Sequence, residues 1–100
     1  METVLLRLVT IIAEAYLESQ LLQEIKTLGA RGYSVSEVKG EGTRGIRASE
    51  WEGRNVKIET LVSAEAADMI LQHVASSYFQ NYAVVAYLTD VRAVRGGKYV

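Results

Sequence analysis

The sequence predicts an α+β fold: one four-stranded antiparallel sheet with two helices on one face. Apolar residues switch along the chain between strand-like runs and helical spacing, in the order strand, helix, strand, strand, helix, strand. Proline is absent, and the glycines fall at the seams between these segments. The chain has 100 residues, 49% of them apolar and 23% charged, which suits one core and leaves no room for a second.

The first strand is predicted over Val4 to Ile12. It is aliphatic at nearly every position, as expected of a central strand covered on one face and buried against a partner on the other. From Glu18 the period becomes helical, with Leu21, Leu22, Ile25 and Leu28 apolar and Gln20, Gln23, Glu24 and Lys26 on the other side. Gly29 is placed to end this helix in a left-handed cap. Tyr33 to Lys39 returns to strand character, with Tyr33, Val35 and Glu37 on one face and Ser34, Ser36 and Val38 on the other.

Residues 40–54 carry no apolar periodicity, and an insertion of that length is expected to be a flexible, functional loop. Asn55 to Val62 alternates polar and apolar residues, the pattern of a strand with one solvated face. Ser63 can cap the next helix, and Glu65 suits its positive end. Ala67, Ile70, Val74 and Tyr78 form one stripe of that helix. Asn81 makes a turn, Tyr82 to Val91 is the fourth strand, and about 92–100 is a tail. Two βα crossovers of one hand then give a ferredoxin-like βαββαβ domain spanning 1–100. That fold hosts many activities and settles none of them.

Composition removes several function classes. The formal net charge is −1, which disfavours general nucleic-acid binding. With no cysteine there is no disulfide, thiolate nucleophile or cysteine metal site. Glu2 stands where a secretory signal carries positive charge, and Arg7 interrupts the apolar run after it. The expectation is a cytoplasmic protein with no membrane insertion. Neither the first nor the third strand carries an aromatic, so recognition of RNA by the sheet is not supported.

Catalysis is weakly encoded. His73 is the single histidine, placed mid-helix with no titrating group at a useful spacing, and reads as a surface or half-buried residue. The acids form no cluster at metal-ligand spacing. An acylphosphatase would need a glycine- and arginine-bearing loop after the first strand, where this chain has Ile12-Ala13-Glu14-Ala15-Tyr16.

Two basic clusters beside glycines remain. Arg44 and Arg47 follow Gly40 and Gly42, while Arg92 and Arg95 precede Gly96-Gly97-Lys98. Arginine forks and closely approaching glycine backbone suit phosphate groups. Ordinary solvated charges would give the same spacing, so both readings stay open here.

Gly32-Tyr33-Ser34-Val35-Ser36-Glu37-Val38-Lys39-Gly40-Glu41-Gly42 resembles the second strand and loop base of PII signalling proteins. Arg7-Leu8-Val9-Thr10-Ile11-Ile12 and the helix ending Leu28-Gly29-Ala30-Arg31-Gly32 are similar to their first strand and helix. The loop is shorter than in the usual PII proteins and holds no tyrosine for uridylylation. Tyr78-Phe79-Gln80-Asn81-Tyr82 stands in place of their glycine-rich phosphate loop, so the resemblance does not imply a triphosphate grip or 2-oxoglutarate signalling. Gly42-Thr43-Arg44-Gly45-Ile46-Arg47 and Phe79-Gln80-Asn81-Tyr82-Ala83 resemble instead the inorganic-carbon branch. That branch holds regulators of the bicarbonate transporter and carboxysome-associated PII-like proteins. The cysteine-bearing C-terminal hairpin of many transporter regulators is absent.

The resemblance implies a homotrimer with an adenine nucleotide between subunits. AMP, ADP or cyclic AMP is expected before ATP, with bicarbonate as a co-ligand and no other cofactor. In this reading Gly40, Gly42 and Thr43 form the loop base, Arg44 and Arg47 bind phosphate, and Arg95 and Gly96 close over the cleft with Arg92. Val35 and Ile58 would enclose the adenine. Ordering of the loop is the signal, and Trp51 is a candidate anchor for a membrane transporter or a carbon-metabolism protein. The expectation is a regulator and not an enzyme. The rivals are a trimeric interaction module without a ligand and a weak nucleotide hydrolase using Glu41 or Glu50.

Overall fold

The computed structural model describes residues 1–39 and 54–99. Four strands and two helices follow one another as β1 (Val4–Glu14), α1 (Glu18–Thr27), β2 (Ser34–Val38), β3 (Asn55–Val62), α2 (Ala64–Tyr78) and β4 (Val85–Ala93). Short 3₁₀ turns lie at Ala15–Leu17 and Gly96–Tyr99. The sheet order is β2-β3-β1-β4, with each neighbouring pair antiparallel, which is the ferredoxin-like arrangement.

Register sorts the side chains between the two faces. Ile11 of β1 stands opposite Ile58 of β3 and Ala86 of β4, and Ile58 stands opposite Val35 of β2. These residues therefore share one face. Val9, Ile11 and Ala13 meet Ile58 and Val62 there, beneath Leu21 and Ile25 of α1 and Ala67, Ile70, Val74 and Tyr78 of α2. The α2 stripe read from the sequence is buried throughout. The other face carries Leu8, Thr10 and Ile12 of β1 beside Glu59, Leu61, Tyr87 and Val91, on the side of the sheet away from α1 and α2.

The element ends are set locally. Ser63 Oγ accepts the Ala66 N–H at 3.2 Å and caps α2 as expected. Gly29 has φ +117° and ends α1, and a Cβ there would sit 3.1 Å from the Ala66 Cβ. Helix α1 and helix α2 are thus joined at a glycine where a side chain would be both strained and crowded.

Several strand limits differ from the sequence reading. β1 runs on to Glu14, while β2 starts at Ser34. β4 starts at Val85 and not at Tyr82, because the Tyr82 N–H bonds to the Tyr78 carbonyl at 2.9 Å and the chain is still turning. Arg92 and Ala93, expected in the tail, are the last residues of β4. Among the described residues no helix is long and apolar enough to cross a membrane.

Candidate functional site

The helix-free face of the sheet holds an open cleft of about 650 Å³. Its floor comes from three strands: Leu8 of β1, Glu59 and Leu61 of β3, and Val91 and Ala93 of β4. One wall is the passage from α1 into β2, Arg31-Gly32-Tyr33-Ser34, and the other is Lys98 and Tyr99 of the C-terminal turn. Arg92 lines it from the end of β4, where the pleat gives it the face opposite to Val91 and Ala93.

Local forces place each wall. Thr60 Oγ1 donates to the Gly32 carbonyl at 2.6 Å, fixing the chain just before β2 against β3. Tyr33 has the Lys26 Nζ 5.7 Å from its ring centroid, a cation–π contact that ties this wall to α1. On the opposite side Lys98 Nζ lies 5.2 Å from the centroid of Tyr99. The cleft thus brings the cationic residues Arg31 and Lys98 to an apolar floor with one carboxylate, Glu59, and Arg92 borders it from β4. Such a lining suits an anion joined to an apolar or planar group.

The sequence-chosen residues divide. Arg92 reaches the cleft. Arg95 adopts a left-handed backbone, φ +61°, at the bend between β4 and the turn. Gly96, expected to close over a ligand, is buried against Val4 and Leu6 and offers no surface to one. Ile58, expected against the adenine, is wholly buried in the core. Its partner Val35 is half-buried on the same helix-covered face, away from the cleft. Alternation along β3 turns Ile58 toward the helices, so this cleft does not include the pair expected to enclose the adenine. Gly40, Gly42, Thr43, Arg44, Arg47 and Trp51 lie outside the described residues, as do Glu41 and Glu50.

The sequence reading does not single out Arg31, Tyr33, Glu59, Lys98 or Tyr99 as site residues. Lys98 has a signal, since it follows Gly96-Gly97 in the second basic cluster. Arg31 has one too, in the glycine-flanked segment Gly29-Ala30-Arg31-Gly32.

A second polar cluster joins the two helices. Glu24 Oε1 accepts from the Tyr78 hydroxyl at 2.7 Å and faces His73 Nε2 at 2.8 Å, while Gln20 Nε2 donates to the Tyr78 oxygen at 2.8 Å. Ser77 Oγ is 3.5 Å from the other nitrogen of His73. His73 does have a titrating partner, 49 residues away in sequence. Burial pulls the Glu24 carboxyl upward, but hydrogen bonds from His73 and Tyr78 outweigh it and hold the group below its ordinary value. Burial, then the adjacent Glu24, push the Tyr78 phenol above its ordinary value, so it remains a donor. None of these side chains lines the open cleft. Among the described residues no group of three or more His, Asp or Glu could hold a metal ion.

Comparison with known proteins gives the family. The sequence profile of Nitrogen regulatory protein P-II matches residues 6–98. The chain belongs to the P-II family. Among solved structures, a protein of Thermus thermophilus classed as PII-like signalling is 53% identical, with 100% of each chain covered and a TM-score of 0.88. CPII of Thiomonas intermedia, bound to ADP, AMP and acetate, has a TM-score of 0.85 at 18% identity, covering 99% of this chain and 98% of that one. The same protein bound to ADP and bicarbonate gives 0.84 at 20% identity, with 99% and 98% covered. At such identities the likeness to CPII carries the fold. No curated protein matches the chain in sequence.

Proposed function

We propose that this P-II family member is a regulatory protein that binds an adenine nucleotide of the AMP, ADP or cyclic AMP class and signals energy or inorganic-carbon status. The observation that carries the reading is the open-face cleft, where Arg31 and Lys98 stand in the walls of an apolar floor that Arg92 borders. Its volume of about 650 Å³ falls within the roughly 300–1,000 Å³ typical of small-ligand sites. Arg31 and Lys98 would neutralise phosphate, while Leu8 and Leu61 offer apolar area to the base. The Glu59 carboxylate would accept hydroxyl or amino donors.

In this proposal Gly40, Gly42, Thr43, Arg44 and Arg47 complete the phosphate contacts, with Arg95 and Arg92 from the far end of the chain. Ordering of the 40–54 loop is the output, and Trp51 the anchor for a target such as a transporter or a carbon-metabolism protein. The chain works as a homotrimer in the cytoplasm and catalyses no reaction. Structures of CPII with ADP, AMP and bicarbonate support the choice of ligands, including bicarbonate as a second one.

Isothermal calorimetry with AMP, ADP, ATP and cyclic AMP tests it. At least one should bind the wild-type chain, and Arg31→Ala, Lys98→Ala, Arg44→Ala and Arg47→Ala should each weaken that ligand at least about tenfold, equal to about 1.4 kcal/mol. Binding of none of the four nucleotides sinks the proposal.

A further inference from the structure

Two adjacent glycines in the C-terminal turn occupy opposite surroundings. A Cβ added at Gly96 would lie 2.7 Å from the Val4 Cβ, 3.2 Å from its Cγ2 and 3.4 Å from Leu6 Cδ1. A Cβ at Gly97 would meet nothing within 4 Å. Only the first glycine is a contact.

That contact explains an oddity of the sheet. Leu6 lies on the face opposite α1 and α2, yet it is 0% exposed. Val4 and Leu6 are on the same side of β1, and the chain reverses at Arg95 to set Gly96 down on both of them. The left-handed backbone of Arg95 is uncommon for a residue with a side chain, so the bend needs the packing that follows it. Within the turn, the backbone bond from the Lys98 N–H to the Arg95 carbonyl is long, at 3.5 Å. Two residues beyond the seat, Lys98 and Tyr99 form one wall of the cleft.

We infer that Gly96 is a positioning residue, the seat by which the C-terminal turn docks on Val4 and Leu6 and so sets Lys98 and Tyr99 into the ligand cleft. Gly96 itself touches no ligand. Because the wall exists only while the turn is docked, ligand occupancy and docking favour each other. The cleft is therefore regulated by whatever holds or frees the tail. This inference rests on the nucleotide reading of the cleft given above.

The experiment compares Gly96→Ala with Gly97→Ala, using calorimetry with ADP and hydrogen exchange at residues 97–99. Gly96→Ala should weaken ADP at least about tenfold, and its 97–99 amides should exchange faster even without ADP. Gly97→Ala should stay within about twofold of wild type in affinity. Adding Val4→Gly to Gly96→Ala removes the two Val4 atoms that the new methyl would crowd, leaves the ordinary 3.4 Å contact with Leu6, and should recover most of the affinity, which a general loss of stability would not allow. In the wild type, ADP should slow exchange at 97–99.

Equal ADP affinity in Gly96→Ala and wild type overturns the inference and leaves the nucleotide reading standing. So does an equal loss in the two glycine variants, or a loss that Val4→Gly does not relieve. Failure of wild-type ADP binding removes the nucleotide reading for this ligand. Unchanged exchange in ADP-free Gly96→Ala removes the seat independently of it.

Discussion

At the scale of single residues, Glu24 shows how one carboxylate joins two helices. It collects donors from Tyr78 and His73 on α2, while Gln20 on its own helix supports Tyr78. Replacing it by glutamine should cost about 1–2 kcal/mol, because hydrogen bonds to a charged acceptor are worth more than neutral ones. The sign of the pH dependence follows from the lowered folded pKa. Stabilisation by Glu24 is present above the ordinary value of 4.5 and is lost as pH falls through the lower folded value. Denaturant titrations should therefore show a wild-type advantage over Glu24→Gln that is constant near neutrality and shrinks below about pH 4.5. A gap that widens in acid would contradict this assignment. None of this cluster was legible in the sequence, since Glu24 lies 49 residues from His73 and 54 from Tyr78. Spacing along a chain reports only neighbours within one helix or strand.

At the scale of elements, local chemistry was legible. The Ser63 cap, the Gly29 stop and the stripe Ala67, Ile70, Val74 and Tyr78 all depend on residues a few positions apart, and the structure places each as read. Ser63→Ala should lower stability by about 1 kcal/mol, because an α2 N–H loses its acceptor. Gly29→Ala should cost more than the cap, as the positive φ and the 3.1 Å approach to Ala66 add to one another. Thermal melts of the two variants check the ranking. Ile58 marks the limit of element-level reading. The alternation of β3 was correct, but a period of two does not say which set of residues faces the helices. The two strands beside β3 settle that choice, and both pair with it across stretches of chain that local spacing does not reach. The cleft is similar: its walls, Arg31-Gly32-Tyr33-Ser34 and Lys98-Tyr99, come from segments far apart in the chain.

At the scale of the whole molecule, the asymmetry of the sheet matters most. Both helices pack on one face, while Val85 and Tyr87 on the other remain 56% and 43% exposed. A domain of this size gains little core by itself, and covering that face in an assembly would extend it. The proposed homotrimer predicts a light-scattering mass near three times the 11.1 kDa of one chain. A monomeric peak at micromolar concentration would remove the proposed inter-subunit placement of the ligand. The family and the fold were readable at this scale, because strand–helix order and the Gly32 to Gly42 segment are both contiguous. The identity of the ligand was not, since it depends on which side chains the closed sheet brings to one side.

The pairing of Val38 with Asn55 has one more consequence. The chain leaves β2 and rejoins β3 at facing positions, and the Ala15 N–H to Arg54 carbonyl bond of 3.0 Å anchors the return. The entropy of closing a connection between fixed ends grows only with the logarithm of its length, about 0.6 kcal/mol per doubling. Evolution can therefore lengthen, shorten or rewrite what lies between these two residues almost independently of the scaffold. The same junction is the natural splice point for a designed insertion, such as a reporter peptide or a foreign recognition sequence.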